Sequence, residues 1–327
     1  MQFLYGLWLG TPLWMWLGFL AVVVTLLTLD LGVLHRKQRE IGVRESLMLS
    51  AVYIALGLGF GGWVWWYMGE TAGLNYLTGF VIEKSLAMDN VFVIAMIFAY
   101  FGIPRLYQHR VLFWGILGVI VLRAIMIGFG AAAVQQWGWT LYLFAAFLIF
   151  TGIKMWRHAD TAYDVASSPL LLWMRRRFRV TEDLHGQSFW VRRTDGSGTL
   201  AWHMTPLFMA LIMIEFVDVV FAVDSVPAIF AITTDPFIVY TSNIFAILGL
   251  RALYFALAAM VDRFHYLKYA LALLLVFIGS KIFVADALGL AKIPPAVSLG
   301  ITFAILAGGV IYSLIKTAPA AREAKSL

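Results

Sequence analysis

Stretches of about 20 apolar residues, each long enough to cross the roughly 30 Å hydrocarbon layer of a bilayer as a helix, recur from Trp14 almost to the C-terminus. No other feature constrains the chain so much. A soluble domain is about half apolar and a quarter charged; here 62% of the residues are hydrophobic and 13% charged, and water would not dissolve such a surface. The roughly ten-residue alternation of an outer-membrane barrel is missing, so the spans are helical. The first twenty residues have no Lys or Arg before their apolar run and no small-residue cleavage pattern, so the first span is expected to be retained.

Polar breaks divide the chain into nine expected spans, near 12–34, 46–68, 74–101, 108–134, 138–156, 206–232, 237–261, 266–286 and 294–315. Lys and Arg fall in alternate loops: Arg36, Lys37, Arg39 and Arg44, then Arg105 and Arg110, then Arg157 through Arg193, then Arg263 and Lys268, then Lys316, Arg322 and Lys325. The positive-inside rule puts these loops in the cytoplasm, the N-terminus outside and the C-terminus inside. The net charge of +6 is explained by this asymmetry and calls for no nucleic acid. Segment 157–205 reads as a cytoplasmic loop with a short β-hairpin, Phe189-Trp190-Val191 and Leu200-Ala201-Trp202 around Asp195-Gly196-Ser197-Gly198. Arg175-Arg176-Arg177 reads as a topology anchor, with anionic lipid or a protein partner as the alternative. Residues 316–327 form a cytoplasmic tail, and the whole chain reads as a single transmembrane domain.

Three segments recur in order. Glu83-x5-Asp89-Asn90-Val91 resembles Asp218-x5-Asp224-Ser225-Val226, Leu122-Arg123-Ala124 resembles Leu250-Arg251-Ala252, and Phe150-Thr151-Gly152-Ile153-Lys154 resembles Phe277-Ile278-Gly279-Ser280-Lys281. The offsets are 135, 128 and 127 residues. The copies, 74–156 and 206–286, are displaced by three spans. An odd displacement turns the second copy upside down, which gives the inverted 3+3 repeat (spans 3–5 and 6–8) of many secondary transporters.

Glu83, Lys84, Asp89, Arg123, Glu215, Asp218, Asp224 and Arg251 all lie well inside expected spans. A charge at the bilayer centre costs at least about 2.5–3.5 kcal/mol, so these side chains must face one another or water inside the bundle. Lys84, Arg123 and Arg251 are the expected ion-pair partners, and five acids against three bases leave a surplus suited to a divalent cation. The chain has no cysteine, and its six histidines fall in loops or at span ends. The oxygen donors Glu83, Asp89, Asn90, Asp218, Asp224 and Ser225 suit hard ions such as Mn²⁺, Mg²⁺ or Ca²⁺. Pro227 deprives the Val223 carbonyl of its donor, giving a broken helix with free carbonyls or a simple kink. Glu83 and Asp89 are six residues apart, which is not a same-face spacing on a regular helix. Asp30 is expected to pair with Arg36 and Lys37 at the interface, and Lys154 and Lys281 to snorkel.

The stretches Glu83-Lys84-Ser85-Leu86-Ala87-Met88-Asp89-Asn90-Val91-Phe92-Val93 and Phe221-Ala222-Val223-Asp224-Ser225-Val226-Pro227, with Thr241-Ser242-Asn243 and Leu250-Arg251-Ala252-Leu253-Tyr254-Phe255, resemble the hallmark stretches of the TerC family, in its Alx-type branch. The resemblance implies a multi-pass protein of the bacterial inner membrane, related to lysine-exporter-like transporters and exporting manganese. It implies Glu83, Asp89, Asn90, Glu215, Asp218, Asp224 and Ser225 as cation ligands, with no catalytic residues and no resident cofactor. The expectation is that Mn²⁺ binds between the third and sixth spans at Asp89 and Asp224 and leaves by rocking of the inverted halves, with proton exchange as the driver. Two alternatives stand beside it. One is a non-transporting scaffold or metal sensor. The other, an intramembrane aspartyl hydrolase, lacks a Gly-x-Gly-Asp stretch in this chain.

Overall fold

The computed structural model describes residues 5–32, 42–159, 164–194, 200–258, 266–289 and 293–323. After a small hairpin of β1 (Leu7–Trp8) and β2 (Thr11–Pro12) come α1 (Leu13–Gly32), α2 (Val43–Met68), α3 (Glu70–Tyr100), α4 (Arg105–Gln136) and α5 (Thr140–Arg157). A polar segment then contributes α6 (Pro169–Arg177) and an antiparallel hairpin of β3 (Trp190–Thr194) and β4 (Leu200–Met204). The chain closes with α7 (Pro206–Phe230), α8 (Pro236–Ile247), α9 (Leu250–Leu257), α10 (Leu267–Ala287) and α11 (Pro295–Glu323). The molecule is an all-α membrane protein carrying two small hairpins.

Boundaries follow local chemistry. Gly69, at φ +92°, ends α2 and lets α3 begin at the next residue. Prolines open α6, α7 and α8, where their fixed φ suits the first turn and no N–H is missed. The Asp235 carboxylate caps α8, accepting from the backbone N–H groups of Phe237 (2.9 Å) and Ile238 (3.4 Å).

Six helices, α2, α4, α5, α7, α10 and α11, are long and apolar enough to cross a bilayer, and α8 with α9 makes a seventh as one span bent by 40°. A count of nine needs α1, whose apolar part is Leu13–Leu29, and α3, which carries Glu83, Lys84 and Asp89. Large apolar side chains such as Trp66, Phe129 and Phe150 lie exposed on the helices, as lipid contact requires.

The helix discontinuity lies where the sequence did not place it. Pro227 sits inside α7, three residues from its end, and the helix runs through it. The break falls instead between α8 and α9 at Gly249, which is left-handed (φ +82°) and packs so tightly on Tyr53 of α2 that a Cβ would come within 2.6 Å of it. Only glycine meets both demands. The short helix α6 is a further element that the apolar pattern did not show. The Asp195–Gly198 turn and the Asp30 pairing with Arg36 and Lys37 lie outside the described residues or side chains, as do Arg39, Arg263 and Lys325.

Within the bundle α4 packs on α7 and α3 on α8, while α5 lies along α10. The last contact is reciprocal. A Cβ on Gly152 of α5 would meet the Ala272 carbonyl oxygen (2.7 Å) and Val276 (2.8 Å) of α10. One on Gly279 of α10 would meet the Ala145 carbonyl oxygen (2.5 Å) and Ile149 (2.9 Å) of α5. The pairs Gly152/Gly279, Ala145/Ala272 and Ile149/Val276 are each 127 residues apart, the offset of the third recurring segment. Such self-complementary contact is what a two-fold relation between equivalent elements produces.

Candidate functional site

The charged motif residues of α3 and α7 meet α4 at mid-length. Arg123, 1% exposed, projects from α4 between the two helices. Its Nε donates to Asp218 Oδ2 (3.1 Å) and its Nη2 to Asp218 Oδ1 (3.0 Å), a bidentate fork. Its Nη1 donates to Glu83 Oε1 and to Ser225 Oγ (3.1 Å). Asn90 Nδ2 completes the group by donating to Asp218 Oδ1 at 3.3 Å. Two carboxylates and one guanidinium sum to a charge of −1. Glu83 Oε2 and Asn90 Oδ1 are buried acceptors with no donor among the described residues.

Helical geometry decides which acids share this centre. Seven residues separate Glu83 from Asn90 and also Asp218 from Ser225, about two turns, so both members of each pair face α4. Six residues carry Asp89 and Asp224 about 120° away from Glu83 and Asp218. Asp89 faces Lys268 at the start of α10, and Asp224 faces Thr151 and Lys154 of α5. The expected joint site of Asp89 and Asp224 with the other oxygens is therefore divided in this conformation. Among the described residues no three His, Asp or Glu side chains come together as a metal cage.

The remaining members have their own surroundings. Glu215 lies on Gly118 of α4, where any side chain would overlap its carboxylate, and its Oε2 is buried without a donor among the described residues. Lys84, expected in an ion pair, instead donates to the Ala246 carbonyl at the C-terminal end of α8 (3.0 Å). The break at Gly249 leaves carbonyls of α8 without helical donors, and a cation there also complements the helix dipole. Arg251 of α9 is buried, with Nη1 3.5 Å from His109 Nδ1. It lines a cavity of about 20 Å³ with Asn90 and Asp218, room for a single water.

Two larger cavities lie at opposite ends of the same four helices. One, about 570 Å³, is lined by Asp89 and Met96 of α3, His158, Asp164, Phe216 of α7 and Lys268 of α10, at the end that carries α6 and the β3–β4 hairpin. The other, about 350 Å³, is lined by Asn75 and Thr78 of α3, Tyr142 of α5, Lys281 and Asp286 of α10 and Ser298 of α11. Ile82, Leu148, Ala228, Leu271, Leu274 and Leu275 form an apolar cluster where α3, α5, α7 and α10 meet.

Three features escaped the sequence: the Gly249 break, Gly118 beneath Glu215, and Thr151 and Lys154 opposite Asp224. A glycine inside an apolar span was the available signal for the first two. Lys154 read as a snorkelling side chain because nothing local shows which helix it faces.

Residues 68–321 match the family described as the integral membrane protein TerC family. The chain is 48% identical over 306 residues to a protein of Escherichia coli K12 named putative membrane-bound redox modulator Alx, covering 91% of this chain and 92% of that protein. It is 46% identical over 308 residues to an uncharacterized membrane protein of Myxococcus xanthus, covering 94% of each. A membrane protein of Rickettsia bellii is 46% identical over 301 residues, covering 92% of this chain and 97% of that protein. No solved structure matches at a significant level.

Proposed function

From the premise that the chain belongs to the TerC family of integral membrane proteins, we propose that it is a secondary transporter that exports a hard divalent cation, Mn²⁺, across the bacterial inner membrane. It is a carrier and not an enzyme, and needs no resident cofactor. The apolar runs support nine spans, and the loop charges support an N-terminus outside.

One observation carries the reading: a buried carboxylate pair shares a single cation, and two acceptor oxygens beside it, Glu83 Oε2 and Asn90 Oδ1, have no donor among the described residues. Acceptors of this kind, short of positive charge, are stabilised by a cation that likes oxygen. The larger cavity, with Asp89 in its wall, is the entrance, and the opposite cavity the exit. Asp89 and Asp224 act as successive ligands before and after the Glu83–Asp218 centre. The inverted halves rock about it, with α5 against α10 as their reciprocal contact. The printed name of the Escherichia coli relative speaks of redox modulation. This chain has no cysteine, so thiol chemistry of its own cannot supply that role.

The test is Mn²⁺ flux in proteoliposomes. Wild type is expected to move Mn²⁺ and both Asp89→Ala and Asp224→Ala to lose most of the flux; unchanged flux in both variants removes these residues from the mechanism. Tight Mn²⁺ binding by a wild type that moves none would turn the reading toward a sensor or scaffold.

A further inference from the structure

We infer that Arg123 is a resident competitor of the transported cation: its guanidinium and the divalent ion hold Glu83 and Asp218 in turn. The identity of the cargo rests on the export reading above; the competition itself rests on geometry.

Arg123 uses three of its nitrogens on these groups. The fork on Asp218 takes up both of that residue's oxygens, and Nη1 takes one oxygen of Glu83. An ion held between the two carboxylates competes for oxygens the guanidinium already bonds, since the fork and Asn90 together make three hydrogen bonds to the Asp218 carboxylate. The oxygens left over, Glu83 Oε2 and Asn90 Oδ1, lie on residues 0% and 3% exposed and meet no donor among the described residues, which suits them to a cation. Charge sharpens the exclusion. With Arg123 in place a divalent ion would bring the trio from −1 to +1; with Arg123 withdrawn the pair and the ion sum to zero. Arg251, which lines the same small cavity as Asp218, and Glu215, one turn before it on α7, enter both sums equally, so the difference of one charge remains. Out of water the neutral combination is favoured. Arg123 therefore keeps the empty carrier's carboxylates paired, and its return displaces the ion.

The experiment measures Mn²⁺ binding to the full-length protein in nanodiscs by calorimetry, beside flux in proteoliposomes, for wild type, Arg123→Gln and Arg123→Lys. Gln removes the competitor; Lys keeps the charge but cannot fork onto two carboxylates at once. Arg123→Gln is expected to bind Mn²⁺ about tenfold or more tightly, by removal of a like charge at contact distance, while its flux falls because the ion is no longer displaced. Arg123→Lys is expected to show a smaller gain in affinity and to decide the matter should the Gln variant fail to fold. Unchanged or weaker binding in folded variants overturns the inference. A wild type that moves no Mn²⁺ rejects export instead; the affinity gain in the variants then still supports the competition, and its absence overturns that too.

Discussion

The reciprocal packing of Gly152 and Gly279 makes a quantitative prediction about the two-fold relation between α5 and α10. Consider Gly152→Ala, Gly279→Ala and the double variant. In an exposed helix interior alanine is favoured over glycine by about 1 kcal/mol. Here each new Cβ would lie 2.5–2.7 Å from a backbone carbonyl oxygen of the facing helix, which cannot swing aside as a side chain end could. Overpacking of this kind costs about 1–3 kcal/mol, enough to outweigh the helix preference, so each single variant is destabilised. Because both methyl groups push the same two helices apart, the first separation relieves the second clash. The double variant should therefore lose less than the sum of the singles, with a coupling of about 0.5–3 kcal/mol. Denaturant unfolding in mixed micelles measures the cycle. Gly59→Ala on α2, where a Cβ would meet nothing within 4 Å, is the control and should be neutral or stabilising. Additivity of the two variants, or stabilisation by either, would refute the close reciprocal contact.

Three further outcomes are expected. Glu83→Gln should cost less than about 2 kcal/mol, since Arg123 keeps its fork on Asp218, whereas Arg123→Gln leaves two buried carboxylates unpaired and should cost about 3–5 kcal/mol; equal losses in the same unfolding assay would contradict the charge account. Gly249→Ala forces a side chain into a left-handed site against Tyr53 and should lower stability by about 2–4 kcal/mol, with a parallel fall in Mn²⁺ flux if the α8–α9 break belongs to the path. Asp235→Ala removes the α8 cap and should cost about 1 kcal/mol, seen as faster hydrogen exchange of the Phe237 and Ile238 amides and no change elsewhere.

What the chain alone determined is what local pattern can express. Apolar run length marks helices near the expected positions, although the span expected over 237–261 is two helices that meet at Gly249. The Glu/Asp-x5-Asp, Leu-Arg-Ala and Gly segments recur at offsets of 135, 128 and 127 residues, and the third pair holds Gly152 and Gly279, which sit in the close contact of α5 with α10. Even the division of the acids was partly legible, because six residues on a regular helix cannot face one way. Tertiary structure alone decided which neighbour each charge received. Arg123 takes Glu83 and Asp218 together, Lys84 turns to a carbonyl freed by the break at Gly249, and Asp89 and Asp224 face α10 and α5. The physical reason is range. Hydrophobic periodicity acts within one helix, while the partner of a buried charge is chosen between helices up to 162 residues apart, where only the packed bundle brings donor and acceptor together.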